Sequence, residues 1–130
     1  MRIVTRGINA YFINHICYGA FEFIYPKMLE LPVDNFDLEM SNSELDLVDL
    51  FREHPFTKDL SFGVVDVHSH VVEDLAMVKQ RIQQALEVLK PEQLWVDPDC
   101  GLKTRTQEET VGKLKAIVSA TKSIREYLEK

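Results

Sequence analysis

A chain of 130 residues, 45% of them hydrophobic, is long enough for one domain with a genuine core. Its 21 acids outnumber its 15 lysines and arginines, and the acids are scattered, which excludes the basic stripe of a nucleic-acid footprint. There is also no Gly-rich phosphate loop, and the apolar stretch 8–24 is broken by Asn14, His15 and Glu22 without a charged leader ahead of it, so neither a signal peptide nor a membrane span is read.

The pattern alternates strand and helix. The opening MRIVTRGIN reads as the tail of a helix already under way, and the bulky run 11–17 (YFINHIC) as the first strand. A short helix over 20–30 is closed by Pro32, and 35–40 (NFDLEM) forms a second strand. Ser41 with Glu44 has the form of a capping box ahead of a helix carrying Leu45, Val48 and Phe51. A loop through His54 and Pro55 leads to a third strand at 60–67. Val71, Leu75, Val78, Ile82, Leu86 and Leu89 then recur at helical spacing until Pro91. A fourth strand, Leu94 to Val96, runs into the loop DPDCGLKTR. Thr106 and Glu109 cap a final helix with Val111, Leu114, Ile117, Val118, Thr121, Ile124 and Leu128 on one side.

Four β-α units with apolar strands predict an α/β fold, a parallel sheet covered by helices. A closed eight-stranded barrel needs roughly 250 residues. The expectation is therefore a single partial-barrel domain over 1–130, half of a (β/α)8 barrel, with a small open α/β sheet as the alternative. Strands 11–17 and 94–96 would be its edges, and an exposed edge invites self-association or a second chain.

Chemistry in such folds gathers at the C-terminal ends of the strands. His15 and Cys17 lie two apart and face the same way on a strand, Glu39 ends the second strand, and Cys100 follows the fourth. One imidazole, two thiolates and a carboxylate make a tetrahedral zinc set, with the carboxylate as the exchangeable position. Asp66 and His68 share a face at the end of the third strand, so all six residues should reach one mouth. Singly, each has a plainer reading. A cysteine is usually a small buried hydrophobe, and a strand histidine is usually a hydrogen-bonded core group. His54 and His70 read as loop surface, and Trp95 and the aromatics of 11–25 as core. Two cysteines 83 positions apart can in principle form a disulfide, but with no export signal a reduced, cytoplasmic setting is expected.

The segments HICYG, DLEMSNSELDL, GVVDVHS and LWVDPDCGLKTR, in that order, resemble the C-terminal catalytic barrel of cobalamin-independent methionine synthase, and most closely its short, single-barrel members. The likeness runs through nearly the whole chain. It implies a zinc ion held by His15, Cys17, Glu39 and Cys100, and a proton relay at His68 with Asp66 beside it. It implies homocysteine as the thiol substrate, a methyl-folate or methyl-corrinoid donor, and a place in methionine biosynthesis. Many members follow the HS of this motif with proline, where this chain has His70. The family's contacts to the amino-acid end of homocysteine, and its main folate contacts, belong to the other half of the barrel. The chain is therefore expected to be inactive alone. The rival expectations are a non-catalytic zinc-binding half-barrel with a vestigial site, and a zinc methyltransferase acting on another thiol.

Overall fold

Strand side chains alternate between the two faces of a sheet, and here that alternation separates apolar from polar almost completely. The computed structural model describes residues 1–17, 23–42 and 47–129. Four parallel strands stand side by side in chain order: β1 (Ile13–Ile16), β2 (Asn35–Leu38), β3 (Asp59–Gly63) and β4 (Leu94–Asp97). Their register aligns Asn14, Phe36, Leu60 and Leu94 in one row, and Ile16, Leu38, Phe62 and Val96 in another. Those two rows face the helices.

Three helices follow strands: α2 (Leu47–Glu53), α3 (Leu75–Leu86) and α4 (Gln107–Leu128). A single turn, α1 (Arg2–Thr5), precedes β1 and buries nothing. Phe36, Leu38 and Leu60 are buried with Phe51 and Phe56, and with Ala85 and Leu89 from α3 and just beyond it. A second cluster joins Val64, Val65, Val78 and Ile82 to Ile117, Ala120 and Ile124 of α4. At about 25 cal/mol per Å² of apolar surface removed from water, this helix-covered face is where the sheet gains its stability. No helix among the described residues is long and apolar enough to cross a membrane.

The other face carries Ile13 and His15, Asn35 and Asp37, Asp59 and Ser61, and Trp95 and Asp97. On it Asn35 and Ser61 are buried, while Ile13 and Trp95 are about half exposed. Tyr11 and Trp95 stack on one another there at 5.8 Å and stay about half exposed, so they are not core, contrary to the expectation from sequence. Tyr25, by contrast, is core.

Other boundaries also moved. The third helix begins at Leu75 because Asp74 caps it, its carboxylate accepting from Met77 N–H at 2.8 Å. Val71 and Val72 lie in the loop ahead, exposed. The third strand stops at Gly63, after which Val64, Val65 and Val67 stay buried, with Val64 N–H still donating to the Asp97 carbonyl at 2.9 Å. The expected 20–30 helix is a 3-10 turn at Lys27–Glu30, its earlier part lying outside the described residues. Glu44 and Leu45, and with them the expected capping box, lie outside the described residues, and the Ser41 hydroxyl donates to Asp99. Thr106 and Glu109 do cap α4 reciprocally, at 3.2 and 2.9 Å. Of the expected apolar stripe on α4, Ile117 and Ile124 are buried, but Val111, Leu114, Val118 and Leu128 are exposed. The buried face runs instead through Lys113, Ile117, Ala120 and Ile124.

Candidate metal centre

The parallel register brings the C-terminal ends of all four strands to one rim. At the β1 end, His15 and Cys17 face the same way, as two-residue spacing requires, and His15 Nε2 lies 2.6 Å from Cys17 Sγ. The loop after β4 carries Cys100 to the same point, 3.5 Å from Cys17 sulfur to sulfur. The three donor atoms all lie within 4.8 Å of one another. One imidazole and two thiols at that spacing fit a zinc ion or another ion that favours soft ligands, with room for a fourth ligand.

The electrostatics of the trio are those of a site short of positive charge. Burial pushes the Cys17 thiol up, and the neighbouring Cys100 sulfur adds to the effect. Contact with His15, then with Cys17 and the Gly101 backbone, holds Cys100 below the usual thiol range. Burial alone would lower His15, but Cys100 and Asp37 together raise it. The three groups hold their protons in close contact with one another. A divalent cation would replace those protons, so metal uptake here should release them.

A second corner lies one strand over. Glu39 follows β2, and its carboxylate is 3.5 Å from His68 Nε2 rather than within the sulfur trio. Its charge still contributes to raising Cys17. Asp66 and His68 sit in the loop beyond Gly63 instead of on the strand itself. There the Asp66 carboxylate accepts the His68 backbone N–H at 2.7 Å. Burial would raise Asp66, but hydrogen bonds from Asn42 and from the His68 and Ser69 backbone outweigh it and hold it low. Glu73 accepts the Asp66 backbone N–H at 2.8 Å and pairs with the buried Lys113 of α4 at 2.9 Å. Lys113 also donates to the Val71 carbonyl at 2.5 Å, so one buried cation pins the whole loop that presents His68.

Asp99 ties the two corners together. It is fully buried and accepts backbone N–H groups from Met40 and Ser41, both at 3.0 Å, and the Ser41 hydroxyl. The residue after Glu39 is thereby fixed to the residue before Cys100. Gly63 makes the approach possible: a Cβ there would lie 2.3 Å from Asp99 Oδ1 and 2.8 Å from its Cα.

Of the residues expected from sequence, the structure brings together His15, Cys17 and Cys100, and separately Glu39, His68 and Asp66. His54 and His70 are exposed, as expected, although His70 contacts Glu109 at 2.8 Å. Sequence reasoning missed Asp37, which meets His15 Nδ1 at 2.7 Å, and Asp97, which burial and then the charge of Asp37 push up to about 7. It also missed Asp99, Glu73 and Lys113. Asp37 was findable, since it stands two residues before Glu39 and so shares its face of the strand.

A family profile described as the cobalamin-independent synthase catalytic domain matches residues 2–123. A methionine synthase from Saccharolobus islandicus is 37% identical over 126 residues, covering 97% of this chain and 38% of that protein. A 5-methyltetrahydropteroyltriglutamate–homocysteine methyltransferase from Bacillus velezensis is 44% identical over 112 residues, covering 86% of this chain and 15% of that protein. Among solved structures, a B12-independent methionine synthase from a Shewanella species superposes with a TM-score of 0.84 at 24% identity, over 95% of this chain and 41% of that one. A Listeria monocytogenes protein described as a putative vitamin-B12-independent methionine synthase gives 0.68 at 28% identity, over 94% of this chain and 37% of that one. The fold is that of four β-α units of these barrel proteins, and the chain spans well under half the length of the relatives it matches. With 122 of its residues matched, this chain belongs to the cobalamin-independent synthase catalytic-domain family.

Proposed function

We propose that this chain is the zinc-bearing part of a methionine synthase-like methyltransferase that activates the homocysteine thiol for methyl transfer, and that it acts only when the rest of the barrel is supplied. The observation that carries this reading is the convergence of His15 Nε2 and the Cys17 and Cys100 sulfurs within 4.8 Å at the strand ends of a member of this family. Zinc bound there would supply the charge that lets a coordinated substrate thiol lose its proton at neutral pH. His15, Cys17 and Cys100 hold the ion, and Glu39 is the fourth, exchangeable ligand. Glu39 meets His68 at 3.5 Å, so to serve as a ligand its carboxylate would turn from His68 toward the sulfur trio. His68, half exposed on a loop pinned by Asp66, Glu73 and Lys113, delivers a proton to the departing nitrogen where the donor is a methyl-folate, as general acid. The donor is a methyl-folate or a methyl-corrinoid.

Transfer requires both reactants within near-attack distance. The greater part of the relatives' length lies outside the match, and with it the groups expected to grip the amino-acid end of homocysteine. The 130-residue chain alone is therefore expected to be inactive. β1 and β4, both sheet edges, are where the completing half or a second copy would dock. The reduced thiols fit a reducing, cytoplasmic setting. The test is metal analysis of the purified protein beside the Cys17→Ser/Cys100→Ser double variant. About one zinc per chain in the first and little in the second is expected. Stoichiometric zinc retained in the double variant would overturn the assignment.

A further inference from the structure

We propose that Asp37 is the positioning residue of this site, setting the tautomer and ring orientation of His15 so that Nε2 presents its lone pair to the metal. The inference rests on the metal reading above and adds a residue to it. Strand register sets the pairing. His15 of β1 is aligned with Asp37 of β2, and both side chains project from the face away from the helices. The imidazole is thus met from the side by the carboxylate, with Nδ1 2.7 Å from Asp37 Oδ2, while its other nitrogen points at Cys17 Sγ 2.6 Å away.

Hydrogen-bond chemistry then sets the tautomer. An ionised carboxylate only accepts, so the nitrogen facing Asp37 must carry the proton. In the neutral ring the lone pair then falls on Nε2, the atom aimed at the two sulfurs. Without the carboxylate, the neutral imidazole in water favours the opposite tautomer, which would put N–H where the metal must bind. Metal-bound histidines commonly have such a partner, and its loss typically lowers metal affinity 10–100-fold.

Asp37 also has no competing task. Its other oxygen, Oδ1, is buried without a hydrogen-bond partner among the described residues, and His15 is its one ion partner there. A carboxylate kept for holding strands together would use both oxygens on backbone or side-chain donors, as Asp99 does.

The experiment compares wild type, Asp37→Ala and Asp37→Asn for zinc affinity by competition with a chromophoric chelator. Ring-nitrogen NMR of His15 in chelator-treated protein is recorded alongside, with His15→Gln used to assign the signal. Wild type should show the proton on Nδ1. Asp37→Ala should bind zinc 10–100-fold more weakly and shift the His15 proton toward Nε2. Asp37→Asn keeps an acceptor oxygen and should fall between the two, and it carries the test if the alanine variant does not fold. A merely structural role would lower the melting temperature of a folded variant without moving the ring-nitrogen shifts. Wild-type zinc binding matched within twofold by Asp37→Ala, or an unchanged His15 spectrum, overturns the proposal. If wild type itself binds no zinc, the metal reading fails, and the His15 tautomer in the variants alone decides whether Asp37 sets it.

Discussion

The two faces of the sheet obey different rules although they are built from the same strands in alternation. Toward the helices, Phe36, Leu38 and Leu60 are sealed in a close-packed layer. Toward the other side, those strands offer Asn35, Asp37, Ser61 and Asp97, with Ile13, Trp95 and Tyr11 about half exposed. The covered face holds the fold together. The other face carries buried polar atoms with no hydrogen-bond partner among the described residues, among them Asp37 Oδ1, Asp97 Oδ1 and Asn35 Nδ2. Such atoms cost stability unless something satisfies them, and they mark the face on which a site is built. One face is optimised for packing and the other is held ready for chemistry.

This contrast is broken most sharply by truncating an aromatic on the covered face. Phe36→Ala should cost about 3–5 kcal/mol in denaturant unfolding. A loss below about 1 kcal/mol would mean that the helix-covered layer is not what holds the sheet.

Next in size is the seam between the faces. Gly63→Ala would drive a Cβ into Asp99 backbone that cannot swing away, so a loss of about 1–3 kcal/mol is expected by chemical denaturation. Because Asp99 lies between the ligand-bearing loops, zinc affinity should fall in the same variant. Unchanged affinity would mean that the Asp99 brace does not position Cys100.

The pH dependence of the open face should be smaller. Asp97 is raised from 3.8 to about 7, first by burial and then by the charge of Asp37. A carboxyl raised on folding contributes stability that is complete below its unfolded value and is lost as pH rises through the folded one. In chelator-treated protein, melting temperature should therefore decline between about pH 4 and pH 7 from this group, and Asp97→Asn should flatten that part of the profile. A rise of that size sets an upper bound of about 4 kcal/mol, and partial exposure should bring the effect well below it. An Asp97→Asn profile as steep as wild type would place the titration elsewhere.

Smallest of all, Trp95→Ala on the open face should cost no more than about 1 kcal/mol in the isolated chain, since its ring is half in solvent and loses mainly the stack on Tyr11. A loss as large as that of Phe36→Ala would mean the open face is covered in solution, as self-association through it would require.

The same contrast explains which features were legible in the sequence. Strand-helix alternation, the parallel sheet with its β1 and β4 edges, and the Thr106–Glu109 cap were readable because they depend on local pattern. So was the meeting of His15 with Cys17, which needs only a two-residue period, and that of Cys100 with them, which needs only strand ends on one rim. What depended on a partner strand was not readable. Its offset from Glu39 places Asp37 on the site face, but that it meets His15 is not legible until β1 is laid beside β2. Nothing marks Ser41 as an Asp99 partner until the loop after β4 closes over it. Trp95 looked like core because large aromatics usually are, and only the face of β4 on which it stands decides otherwise. Lys113 lies within an apolar helix repeat, and its burial is explained by Glu73 and the Val71 carbonyl, some forty residues earlier.

Whether His15, Cys17 and Cys100 hold one zinc ion in a single chain is tested most directly by X-ray absorption at the zinc edge of the loaded protein. Two sulfur ligands at about 2.3 Å and two nitrogen or oxygen ligands at about 2.0–2.1 Å are expected. One sulfur should be lost in Cys17→Ser and one in Cys100→Ser. Zinc surrounded by nitrogen and oxygen alone, or by four sulfurs that could come only from two chains, would contradict the assignment.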